Sequence, residues 1–151
     1  MTDMVVTRTG NRTQKRTTPL FVQTLERDQV FVFGSNLRGI HGIGAALVAR
    51  VNFGYPAYHG EGYARHCYAI PTCSVPGKPL RFTEIQTHVE RFLSYATQHP
   101  ELCFLVTPVG CGFAGYTAER IAPLFARAAA MQNVCLPEKF WRVLGDTPRL
   151  A

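Results

Sequence analysis

At 151 residues, 46% hydrophobic and 17% charged, the chain fits one domain with a sizeable core and leaves little room for two. No apolar run approaches the ~18 residues that a membrane-crossing helix needs, and the N-terminus lacks the charged-then-apolar order of a signal peptide. A cytoplasmic location and no membrane partner are therefore expected. The net charge of +6 is uneven. Half of it falls in residues 1–18, where Arg8, Arg12, Lys15 and Arg16 stand against Asp3 alone, leaving a mildly basic remainder that suits an anionic small ligand as well as nucleic acid. The five cysteines, Cys67, Cys73, Cys103, Cys111 and Cys135, are odd in number and form no C-x-x-C pair. They read as reduced thiols acting as small hydrophobes. No His/Cys spacing resembles a zinc site, so no metal is expected and no cofactor is implied.

Residues 1–18 are rich in Thr and Arg with little apolar periodicity and read as a mobile basic arm; 19–151 read as a single domain. Phe21–Leu25 is a candidate edge strand. Val30-Phe31-Val32-Phe33 is an all-apolar run ended by Gly34, the pattern of a strand buried on both faces. Residues 42–53 carry Ile43, Ala46, Leu47 and Val51 at helical spacing, with Gly54 as the stop. His66–Pro71 reads as a second buried strand limited by Pro71, and 73–81 as a loop. Thr83 with Gln86 predicts a capping box for a helix with the stripe Ile85, Val89, Phe92, Leu93 and Ala96. Leu102–Thr107 is a third buried strand. Thr117 caps a predicted helix running to Met131, with a kink or late first turn at Pro123. Val134–Leu136 is a short last strand, and Phe140, Trp141, Val143 and Leu144 anchor the C-terminus. Strands alternating with helices give an α/β fold with a largely parallel sheet covered on both faces. In such sheets ligands bind beyond the carboxyl ends of the strands.

Two glycine-rich segments directly follow predicted strands. In the first, Gly34, Ser35, Asn36, Arg38, Gly39, His41, Gly42, Ile43 and Gly44 lead from strand to helix. Glycines allow backbone to approach a ligand closely, and a helix N-terminus offers unpaired N–H groups and a partial positive charge suited to phosphate. Asn36 carries both donor and acceptor groups for a ribose or a base edge, while Arg38 and His41 add cationic donors. In the second, Gly110, Cys111, Gly112, Phe113, Ala114, Gly115 and Tyr116 repeat the arrangement, with Phe113 and Tyr116 offering aromatic surface to a base or sugar. Neither is a P-loop or a dinucleotide fingerprint. A third stretch, Tyr55–Tyr63, holds His59 and Glu61, the nearest candidates for general acid/base work.

The order of these motifs, Gly34-Ser35-Asn36, the Gly39–Gly44 loop, Tyr68-Ala69-Ile70-Pro71-Thr72 and Pro108–Tyr116, resembles that of macro domains over roughly residues 28–137. The resemblance, to the divergent bacterial or phage type, implies a three-layer α/β/α domain with a mixed, largely parallel central sheet. It also implies binding of ADP-ribose or a related nucleotide, with Asn36 on the ribose side and the two glycine loops around the phosphates and distal ribose. The chain departs from some hydrolytic members in having no aspartate in Gly39–Gly44. The Gly110-Cys111-Gly112 turn is similar to that of terminal ADP-ribose glycohydrolases, but Phe113 and Ala114 follow where those have an acidic residue, and Cys73 stands where they have a lysine.

The expected function is therefore nucleotide binding, with weak hydrolysis of an ADP-ribosyl bond as its catalytic extension. Two other readings stand beside it. Cys111 at the glycine turn is a candidate nucleophile of a hydrolase. The basic arm could hold a nucleic acid whose terminal nucleotide the cleft reads.

Overall fold

The structure, a computed structural model, describes residues 16–145. The elements in chain order are β1 (Gln29–Asn36), α1 (Gly44–Phe53), β2 (Gly62–Ala64), β3 (Cys67–Val75), β4 (Lys78–Pro79), α2 (Phe82–Gln98), β5 (Cys103–Val106), α3 (Ala118–Ile121) continuing as a 3-10 segment (Ala122–Ala130), β6 (Val134–Cys135) and α4 (Glu138–Leu144). The sheet runs β2-β3-β1-β5-β6, with β4 folded back on β3. Phe31 in central β1 lies opposite Cys67 of β3 and Leu105 of β5, both parallel. β6 adds parallel to β5, while β2 and β4 are antiparallel to β3. The sheet is thus mixed and largely parallel, as expected.

Alternation along β1 builds a core on each face. Phe31 and Phe33 pack with Ala46, Ala49, Tyr55 and Cys67 under α1. Val30 and Val32 join Ile70, Phe104 and the buried faces of α2, the 3-10 segment and α4. That two-sided burial is why β1 reads as a continuous apolar run. The α2 stripe is buried as predicted, from Ile85 to Ala96.

Several local expectations are corrected. The predicted α1 stripe is out of phase: Ile43 is 52% and Val51 65% exposed, and the inward face is Ala46 and Ala49. Phe31, Phe33 and Tyr55 fill the layer beneath α1, where Ala46 and Ala49 are buried and Val48 and Phe53 pack partly buried at its edge. Pro71 does not end β3, which runs on to Val75. It falls between the last β2 pair at Ala69 and the first β4 pair at Cys73, where the strand has a neighbour on one side only. The predicted loop 73–81 contains that strand end and the β4 hairpin. Helix α2 begins at Phe82, with the Glu84 carboxylate accepting from the Arg81 N–H at 2.9 Å, so the box starts two residues before Thr83. Thr117 does cap α3, its hydroxyl accepting from the Arg120 N–H. Beyond Ile121 the chain tightens into 3-10 turns around Pro123, which cannot donate to an α-helical ladder.

Phe21–Leu25 forms no strand, and Leu20 and Phe21 are exposed. The arm, placed at 1–18, does not extend to its last three residues. The Arg16 side chain donates to the carbonyls of Val134, Ala128 and Ala129, its own carbonyl accepts from the Trp141 indole, Thr17 bridges to Leu136, and Thr18 is buried. Residues 1–15 lie outside the described residues. Among the described residues no helix is long and apolar enough to cross a membrane.

Candidate functional site

The carboxyl ends of β1, β3 and β5 open on a cavity of about 460 Å³. Its floor is Gly34, Ser35 and Asn36 at the end of β1, Thr72 and Cys73 of β3, and Thr107 to Gly110 after β5. One wall is Ile40, Ile43 and the first turn of α1, Gly44 to Ala46; the other is Gly112, Phe113 and Ala114; Pro76 and Gly77 close the β3 side.

Of the residues expected at the site, Gly34, Ser35, Asn36, Ile43, Gly44, Gly110, Gly112, Phe113 and Ala114 line the cavity. Arg38 is exposed and does not. Nor do Gly39, His41, Gly42, Cys111, Gly115 and Tyr116. Reading the sequence missed Thr72, Cys73, Pro76 and Gly77. Pro76-Gly77 was the available signal, a turn dipeptide at the same sheet edge as the two glycine loops.

Helix α1 starts from Ile43, which has extended backbone and no side-chain cap, so the N–H groups of Gly44, Ala45 and Ala46 are left for a ligand facing the cavity. Across the cavity the second turn is locked by its own bonds. The Cys111 N–H donates to the Pro108 carbonyl, Gly115 to Gly112 and Tyr116 to Gly110. The N–H groups of Gly112, Phe113 and Ala114 have no acceptor among the described residues.

The polar side chains of the floor are turned to the protein's own backbone. Ser35 donates to the Gly60 carbonyl, Thr72 to that of Ser35 at 3.3 Å and Thr107 to that of Val32 at 2.8 Å. Asn36 donates to the Ile40 carbonyl at 2.8 Å and accepts from the Ile40 N–H at 3.0 Å, clasping the turn between them. Cys73 is the one titratable side chain among the lining residues.

The remaining candidates have structural partners. His41 is buried against Phe33 and Tyr55 under α1, with Nε2 donating to the His59 carbonyl at 3.0 Å. Burial lowers its pKa and so favours the neutral ring. Its Nδ1 has no partner among the described residues. His59 stands edge-on to Tyr55, away from the cavity. Glu61 accepts from His88 Nδ1 at 2.8 Å and Arg91 at 3.0 Å, tying the loop before β2 to α2. It is an ion-pair residue outside the cavity. Burial pushes the Cys111 thiol up from its ordinary value and Sγ donates to the Val109 carbonyl, the reverse of an activated nucleophile. Tyr116 donates to the Leu80 carbonyl and packs on Phe82.

The Tyr55–Tyr63 stretch braces the first glycine loop from outside. A Cβ on Gly60 would lie 2.6 Å from the Asn36 carbonyl oxygen, and one on Gly39, at φ +71°, would meet the Tyr58–His59 peptide. These glycines serve the packing of one loop on another, not the approach of a ligand. Among the described residues no group of three His, Cys, Asp or Glu could hold a metal ion.

No protein-family model matches the chain, and no curated protein matches it. Among solved structures it is similar to a macrodomain protein from Streptomyces coelicolor, with 16% identity, 77% of this chain and 90% of that chain covered, and a TM-score of 0.47.

Proposed function

We propose that the cavity binds ADP-ribose or a related phosphate-bearing nucleotide, with the diphosphate held between the first turn of α1 and the Gly110–Ala114 turn. The observation that carries this reading is the uncapped α1 N-terminus opening on the cavity, opposite a second turn with unpaired N–H groups. Two sets of backbone donors on either side of a space of about 460 Å³ suit a dianionic linker more than a neutral ligand. The order of the glycine motifs, which resembles that of macro domains, points the same way. The reading is of binding rather than hydrolysis: Glu61 and His59 stand away from the cavity, and its lining supplies no carboxylate or imidazole to move a proton.

Calorimetric titration with ADP-ribose, ADP and adenosine tests it. Hydrogen bonds to a charged group contribute about 1.5–3 kcal/mol each, so adenosine should bind at least ~100-fold more weakly than ADP-ribose. Equal binding of adenosine, or no binding of either phosphate compound, would overturn it.

A further inference from the structure

Positive charge gathers at the end of the sheet opposite the cavity. A surface pocket of about 370 Å³ lies there, at the amino ends of β1 and β3. Its lining includes Glu26 and Arg27 before β1, Asn52 and Phe53 at the end of α1, and Arg65 and His66 between β2 and β3. The length of β1, 8 residues rising about 3.3 Å each, separates it from the cavity. Among the described residues, the arginines whose side chains hold no carboxylate, carbonyl or aromatic ring are Arg27, Arg38 and Arg65. Two of them line this pocket. His66 joins them there; the rings of the other described histidines are held by the His59 carbonyl, Tyr55, Glu61 and Glu101. Glu26 is the one carboxylate of the lining, so the two guanidiniums leave the pocket net positive.

The turn that presents Arg65 and His66 is held against local preference. β2 and β3 pair as far as Ala64 and Cys67, which leaves a two-residue hairpin loop. Both loop residues have positive φ, +51° and +61°, as a type I′ turn requires. Asn-Gly is the pair that adopts this turn readily, whereas an arginine and a histidine there are strained. The conformation is enforced from outside the hairpin. The His66 carbonyl accepts from the Phe31 N–H of β1 at 2.9 Å. The Arg65 guanidinium lies over Gly54, with Nε and Nη2 each 3.6 Å from where a Cβ would stand. That seat is the carboxyl end of α1, where the helix dipole favours a cation. Strained residues held in this way are characteristic of ligand clamps.

We propose that this pocket is a binding site of its own, for a phosphate group held by the guanidiniums of Arg27 and Arg65, with His66 and Asn52 as further donors. Guanidinium suits such a group because its fork of N–H donors matches two phosphate oxygens at once. The phosphate of a small compound and the backbone phosphate of a nucleic-acid strand offer the same chemistry here. The site does not depend on the reading of the cavity, and the failure of either leaves the other standing.

The test is residue-resolved amide NMR of the full chain at low salt, titrated with inorganic pyrophosphate and, separately, with a short oligothymidylate. Saturable shifts at Asn52, Arg65 and His66 are expected. Shifts with pyrophosphate identify a small phosphate compound as the ligand, and shifts with the oligonucleotide alone identify a strand. Arg27→Ala and Arg65→Ala should each weaken the binding read at Asn52 by about tenfold or more, the loss of one charged hydrogen-bond partner. The double variant Arg65→Asn with His66→Gly supplies the preferred turn pair. It should melt at or above the parent and still lose binding by about tenfold or more. Absence of shifts at Asn52, Arg65 and His66 with both ligands would overturn the proposal. So would shifts confined to Gly44–Ala46 and Gly112–Ala114, which would put the phosphate in the cavity alone. Parental affinity at Asn52 in the double variant would overturn it as well.

Discussion

Asn36 and Ile40 are joined by two hydrogen bonds, the side-chain amide of Asn36 donating to the Ile40 carbonyl and accepting from the Ile40 N–H. The clasp closes the turn that carries Ile40 to the wall of the cavity. Asn36→Ala leaves both Ile40 groups without these partners and should lower stability by about 1–3 kcal/mol, with ADP-ribose binding weakened as the turn loosens. Asn36→Asp keeps the acceptor and loses the donor, so it should fall between. Urea midpoints and ADP-ribose titrations on the same samples check the order, and an alanine variant equal to the parent in both would refute the clasp.

The two glycines of the second turn should behave differently. Gly110 sits at φ +80°, and a Cβ there would lie 3.0 Å from Ile121 Cδ1. Gly110→Ala should therefore cost about 1–3 kcal/mol in strain. Gly112 has ordinary backbone and nothing within 4 Å of a Cβ, so Gly112→Val should stay within about 0.5 kcal/mol of the parent in stability. Its methyls would nonetheless intrude on the cavity and reduce ADP-ribose binding. The steric constraint of this turn lies at Gly110. Denaturant midpoints that rank the pair the other way would contradict this assignment.

Gly60 is required by backbone rather than by ligand. Its Cβ would lie 2.6 Å from the Asn36 oxygen and 2.7 Å from that of Leu37. Gly60→Ala should destabilise by about 2 kcal/mol or more and weaken binding by shifting the first loop. A thermal midpoint unchanged from the parent would show that the two loops can separate without loss.

Arg16 ties the start of the described chain to the 3-10 segment and β6. Arg16→Ala removes bonds to Ala128, Ala129 and Val134 and a cation over Trp141. A loss of about 1–3 kcal/mol corresponds to roughly 3–10 °C in thermal midpoint. Deleting residues 1–18 should cost at least as much. A truncated protein that melts with the parent would restore the expectation of an arm that ends at residue 18.

Burial of His41 places its pKa below the ordinary 6.5. The unfolded chain therefore takes up the proton first as pH falls, so the stability contributed by the neutral ring is present above 6.5 and declines below it, down through the folded value. His41→Gln removes this dependence. The gap in urea midpoint between parent and variant should shift against the parent from about pH 7.5 to pH 5. A gap constant over that range would show that His41 does not carry the effect.

What the sequence by itself determined was whatever depends on neighbours in the chain. The apolar run of β1, the α2 stripe from Ile85 to Ala96, the Thr117 cap and the Gly54 stop are all local, because helical and strand periodicity and capping are written within a few residues. The placement of both glycine loops at one sheet edge followed from strand–helix alternation alone. What only the tertiary structure decided depends on partners distant in sequence. The phase of α1 is set by the aromatic rings of Phe31, Phe33 and Tyr55 beneath it, so Ile43 and Val51 face outward despite their hydrophobicity. Glu61 meets His88 and Arg91 across the fold, and Gly39 and Gly60 answer to the opposing backbone of each other's loops. The cavity's floor of committed hydroxyls belongs to this second kind. A serine or threonine looks equally free in any sequence, and its proton is assigned only when a carbonyl from another segment comes within reach.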